Sequence, residues 1–144
     1  MAETSRRSWR AGTGPGRVLV GVYAFFALAA GARAGWQIAT KFSEAPVAYL
    51  LSAAAAAIYL VAAVALARPG QRARTVALAC CTVELVGVLT VGTVSLALPE
   101  ALPRATVWST YGIGYGFVPL VLPVLGLLWL RHARPAAQPA DVAG

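Results

Sequence analysis

Apolar residues gather into four long runs, about 18–39, 47–67, 76–98 and 111–130, with short polar connections between them. Each run has the roughly 20 residues that a helix rising ~1.5 Å per residue needs to cross ~30 Å of hydrocarbon. The longest piece left over is the N-terminal tail of 17 residues, too short for a water-soluble domain. The pattern therefore predicts an all-α, polytopic membrane protein: one antiparallel bundle of four transmembrane helices over 18–131. Residues 1–17 and 132–144 are read as disordered tails.

Patterning within each run predicts which faces pack. In the first, Ala24, Ala27, Gly31 and Gly35 recur at spacings of three and four. Such a stripe lets another helix approach closely, by van der Waals contact rather than hydrophobic drive. The opposite stripe carries Arg33, Trp36, Gln37 and Thr40. The second run, with Ala53 to Ala57 and then Ala62 and Ala63, is smooth all round and suits a central helix touching two neighbours. Pro46 falls in its first turn, where the missing N–H costs nothing, and Pro69-Gly70 ends it. In the third run Glu84 shares a stripe with Cys80, Gly87, Val91 and Ser95. The fourth opens with Tyr111-Gly112-Ile113-Gly114-Tyr115-Gly116 and places Pro119 and Pro123 one turn apart, so an irregular start is expected. Ala27, Gly31, Gly35 and Gly87 are the candidate helix-packing positions. Trp36 and Trp108 are assigned to the outer interface and Trp129 to the cytoplasmic one, as in aromatic belts.

Charge adds orientation. Hydrophobic residues make up 59% of the chain and charged residues 12%, about half the usual share of a soluble domain. The net charge of +7 does not indicate nucleic acid, because the arginines sit at the ends of apolar runs with no basic helix among them. Arg6, Arg7, Arg10, Arg17, Arg68, Arg72, Arg74, Arg131 and Arg134 fall on one side of the membrane; only Lys41 and Arg104 fall in loops on the other. Positive residues in short loops stay cytoplasmic, so both termini are expected there, with the chain in the plasma membrane. This bias separates the chain from the small multidrug-resistance transporters, several of which insert both ways. Ser5-Arg6-Arg7 and Ala32-Arg33-Ala34 have the outline of a twin-arginine signal with a cleavage site. Arg33 would lie inside the cleavage tripeptide and the apolar run continues past it, so the run is read as a retained span.

Chemistry has few carriers. Glu84 and Arg33 are the ionisable groups well inside the runs, and a charge at mid-membrane costs ~2.5–3.5 kcal/mol on insertion scales. Together they form the candidate intramembrane polar site. Their axial offset is roughly 10 Å by helix rise, near the limit that the two side chains bridge. Two arrangements stay open. In one, Arg33 snorkels outward to headgroups or to Glu44 while Glu84 is sealed between helices. In the other, both face a polar interior. Glu84, short and deep, is expected to point inward in either. His132, the single histidine, sits among arginines at a span end. No carboxylate pair, metal cluster or Ser-His-Asp set is present, so no catalytic residue, metal or cofactor is assigned. Cys80-Cys81 lacks the C-x-x-C spacing that vitamin K epoxide reductase-like bundles need, and reads as small apolar filler. Ile113-Gly114-Tyr115-Gly116 resembles a potassium-channel selectivity filter, but Gly112 replaces its threonine and Phe117 its aspartate. Only 14 residues then remain for an inner helix.

Three segments carry a wider likeness: A-P-V-A-Y-L-L-S-A at Ala45–Ala53, C-C-T-V-E-L-V-G-V at Cys80–Val88, and W-S-T-Y-G-I-G-Y-G at Trp108–Gly116. Through these the chain resembles the small uncharacterised four-span integral membrane proteins of high-GC actinobacteria. The resemblance implies a fold and a compartment and no activity. The expected function is a non-enzymatic packing or accessory component, its partners the bilayer and a second membrane protein or another copy of itself. A small ion- or proton-coupled transporter using Glu84 and Arg33, and a lipid- or quinone-directed enzyme, are the alternatives.

Overall fold

Three long helices and one short one make up the computed structural model, which describes residues 14–132. They are α1 (Gly14–Lys41), α2 (Pro46–Ala67), α3 (Gln71–Ala97) and α4 (Val118–His132), with 3-10 turns at Phe42–Glu44, Pro99–Ala101 and Ser109–Tyr115. There is no strand among the described residues. The chain is an all-α polytopic membrane protein: α1, α2 and α3 are each long and apolar enough to cross a bilayer. The tail readings at 1–13 and 133–144, with Arg6, Arg7, Arg10 and Arg134, lie outside the described residues. Residues 14–17, expected in a disordered tail, form the first turn of α1.

Packing follows sequence neighbours. α2 lies against both α1 and α3, as its smooth Ala-rich surface predicts, and α4 packs on α3. Arg74 donates through Nη2 to the Leu130 carbonyl at 2.9 Å, so the start of α3 satisfies one of the open carbonyls at the end of α4. At the far end Arg104 and Glu44 form an exposed ion pair at 2.9 Å that links the connection after α1 to the one after α3.

Two packing faces differ from expectation. The buried face of α1 is Gly16, Leu19, Tyr23, Phe26, Ala30 and Ala34, one residue off the predicted stripe and so turned by roughly 100°. Ala24 and Gly35 are exposed, and a Cβ on Gly35 would meet nothing within 4 Å. Ala27 is half-buried against the core, and Gly31 faces Ala56 with ordinary contact at 3.7 Å. The face that turns inward is the one carrying Tyr23, whose hydroxyl finds partners only inside. On α3 the buried face is Ala77, Cys81, Glu84, Val88, Val91 and Gly92, so Cys81 rather than Cys80 is interior.

The fourth run is the larger correction. It is not one helix: Ser109–Tyr115 and Val118–His132 meet at 97°. α4 has 15 residues, roughly 22 Å of helix rise, and cannot cross the hydrocarbon alone. The bend is made by left-handed residues at Thr110, Tyr111 and Gly112 and again at Gly116 and Phe117. Each non-glycine residue held there costs on the order of 1 kcal/mol, so the surroundings must hold the segment in place. Gly112 is needed twice over, because a Cβ there would lie 2.8 Å from the Pro119 ring.

Candidate functional site

The bent segment enters the bundle from the end that carries the Glu44–Arg104 pair. Non-helical backbone at membrane depth is tolerated only where its polar groups are met inside the protein. Here hydroxyls meet them. Val107 N–H donates to Ser52 Oγ (3.3 Å), Thr110 N–H to Ser95 Oγ (2.7 Å), Thr106 N–H to Ser109 Oγ (2.8 Å) and Trp108 N–H to Thr106 Oγ1 (3.1 Å). Two of these acceptors, Ser52 and Ser95, belong to α2 and α3 and fix how far the segment descends.

Trp108 is the tip of this plug. Expected in the outer aromatic belt, it is instead buried, and its indole Nε1–H donates to Tyr59 Oη at 2.8 Å. Tyr59 lies roughly 20 Å along α2 from its N-terminal end by helix rise. The indole reaches it because Gly87 leaves room: a Cβ there would sit 2.6 Å from the ring. Gly87 is thus a packing residue as expected, but for a loop tryptophan rather than a helix. Gly92 does the same for Tyr111.

Below the plug lies the polar centre. Tyr23 Oη donates to Glu84 Oε1 at 2.7 Å and lies 3.5 Å from Cys81 Sγ. The Tyr23 and Tyr59 rings are 6.0 Å apart and tilted. Gly126 lets α4 close over the group, since a Cβ there would be 2.8 Å from Cys81 Sγ. Glu84 is completely buried, and its Oε2 has no hydrogen-bond partner among the described residues. The inward orientation predicted for Glu84 is what the structure contains.

Arg33 is elsewhere. It is exposed and donates through Nη1 to Tyr115 Oη at 3.2 Å. The Tyr115 ring also packs edge-on against Phe26, two turns away on the same side of α1. Arg33 therefore holds the bent segment to α1, while Glu44, its other expected partner, is taken by Arg104. The two residues assigned to one polar site are thus held by different partners.

Tyr23, Cys81 and Gly126 escaped the sequence reading as site residues. The signal for Tyr23 was a hydroxyl within an apolar run, and its inward face follows once Glu84 needs a donor. The filter-like stretch is also explained. Gly116 N–H is shared between the Gly112 and Ile113 carbonyls, and Phe117 N–H also bonds Gly112. In a potassium filter the carbonyls replace the ion's hydration shell, whereas these close the chain's own turn. Among the described residues no group of three or more His, Cys, Asp or Glu side chains is placed to hold a metal. Comparison of the chain with known protein families, curated proteins and solved structures finds no match.

Proposed function

We propose that this chain is a non-enzymatic integral component of the plasma membrane that works by lateral packing on a second membrane protein or another copy of itself. One observation carries the reading: Glu84 is fully buried and bonded to Tyr23, while Arg33 is engaged outside by Tyr115. A transport route through these two residues needs them on one wetted path. Buried intramembrane carboxyls that serve transport face a water-filled cavity or a relay partner. The lipid-facing side of α1 supports lateral packing, because Gly21 and Gly35 leave open space where a partner helix can come close. In this reading both termini are cytoplasmic, and kinship with the small four-span actinobacterial proteins belongs to the same proposal.

A second reading rests on Glu84 Oε2. A buried carboxyl oxygen without a partner is rare, and in a membrane interior it marks a site where a proton or cation binds. Thiol labelling separates the two. In Cys80→Ala the thiol left in α3 is Cys81, one turn from Glu84 and equally buried. In native membranes a charged methanethiosulfonate should leave Cys81 unmodified until the protein is denatured. Rapid modification of the folded protein would favour the ion-coupled reading and overturn the first.

A further inference from the structure

Between α2 and α3, on the outside of the bundle, runs an open groove of about 520 Å³. Leu60, Val61 and Val64 of α2 and Val76 of α3 form its walls, all well exposed. Arg68 and Arg72 stand at its mouth. The remaining arginine of this connection, Arg74, is occupied by the Leu130 carbonyl.

We propose that the groove binds one anionic phospholipid, its phosphodiester held between Arg68 and Arg72 and an acyl chain laid along the valine and leucine wall. The charge balance carries this. The described acidic residues are Glu44, Glu84 and Glu100. Glu44 pairs with Arg104, Glu84 is sealed inside, and Glu100 lies in the opposite outer connection. At the end of the bundle that holds Arg68 and Arg72, the described residues include no carboxylate. Both arginines are exposed, and a planar guanidinium matches a phosphate with two parallel hydrogen bonds. Basic pockets between transmembrane helices at a membrane surface select anionic headgroups in this way. The apolar walls distinguish the ligand from a free anion, because a phosphate alone leaves them uncovered. The proposal does not depend on the function proposed above.

The test uses the full chain purified in detergent, with lipid binding followed by native mass spectrometry. Dioleoyl phosphatidylglycerol should bind and dioleoyl phosphatidylcholine should not. Arg68→Gln combined with Arg72→Gln should weaken phosphatidylglycerol binding about tenfold or more, the loss of at least one charge-assisted contact. Val64→Trp, which fills the groove and keeps both arginines, should weaken it comparably. Arg131→Gln, at the end of α4 outside the groove, should change it less than about twofold. Where the double variant fails to fold, Val64→Trp and the Arg131→Gln control decide alone. The proposal is overturned if Arg131→Gln weakens binding as much as the groove variants, which would show bulk charge attraction. Equal retention of both lipids, or displacement by glycerol 3-phosphate at matched concentration, overturns it as well.

Discussion

Tyr23 and Glu84, 61 residues apart in the chain, share a 2.7 Å hydrogen bond that ties α1 to α3 across the centre of the bundle. Among the described residues Glu84 Oε2 is without a partner, and Tyr23 supplies the one side-chain hydrogen bond to this carboxyl. Interhelical hydrogen bonds in membranes average only ~0.6 kcal/mol, since the separated helices find other partners. Removing this one strands a completely buried carboxyl, which puts the loss at the upper end of that range or above it.

Tyr23→Phe should therefore lower stability by about 1–2 kcal/mol, read as a fall in unfolding midpoint in detergent. Glu84→Gln should be milder, because the amide keeps the size and still accepts from Tyr23. Combining Tyr23→Phe with Glu84→Leu should restore part of the loss, as both polar partners are then gone. Equal destabilisation by Tyr23→Phe with and without the Glu84 carboxyl would show that the bond contributes nothing.

Gly87 controls the depth of Trp108. A methyl group at 87 meets the indole at 2.6 Å, so the ring must withdraw and give up Tyr59. Gly87→Ala should cost about 1–3 kcal/mol, the usual range for overpacking a filled interior. In a Tyr59→Phe background, where the indole N–H has already lost its acceptor, the same substitution should cost about 0.5 kcal/mol less. Fully additive effects would mean that Trp108 stays in place.

These residues also mark how much was legible in advance. Fold class and the first three spans follow from run length, because hydrocarbon thickness sets a length that any sequence must meet. Glu84 was legible because a lone carboxyl in an apolar run has to turn inward. The face of α1 was not. Small residues predicted one stripe, and the partner that turns Tyr23 inward lies 61 positions away. The fourth span misled for a related reason. Composition over 111–130 is apolar enough for a helix, but the chain just before it is held by Ser52 and Ser95 on other helices, through the Val107 and Thr110 N–H groups, so the run starts bent. Hydroxyls that feed a distant loop look, in sequence, like ordinary polar spacing.

Orientation has its own test. Arg17, Arg68, Arg72, Arg74 and Arg131 lie at one end of the bundle, while Lys41, Glu44, Glu100 and Arg104 balance at the other. The positive end should be cytoplasmic. Reporter fusions after Gly70 and after Arg134 should be active with a cytoplasmic reporter and silent with a periplasmic one. The reverse pattern at either point would overturn the topology.

Arg33 and Glu84 should be energetically independent. Arg33 is exposed and bonded to Tyr115, so Arg33→Gln loses one surface contact and should cost no more than about 0.5 kcal/mol. Glu84→Gln acts through Tyr23, ten positions and roughly 15 Å of helix rise from Arg33 along α1. With no shared partner, the double variant should equal the sum of the two within about 0.3–0.5 kcal/mol. A buried ion pair predicts something different in kind. Either single substitution would then strand a charge and cost about 3–5 kcal/mol, and the second would recover much of it. Measuring the four unfolding midpoints in one detergent separates the outcomes by several times the experimental error. Recovery of stability in the double variant would place Arg33 and Glu84 in one site and return the transport reading to the front.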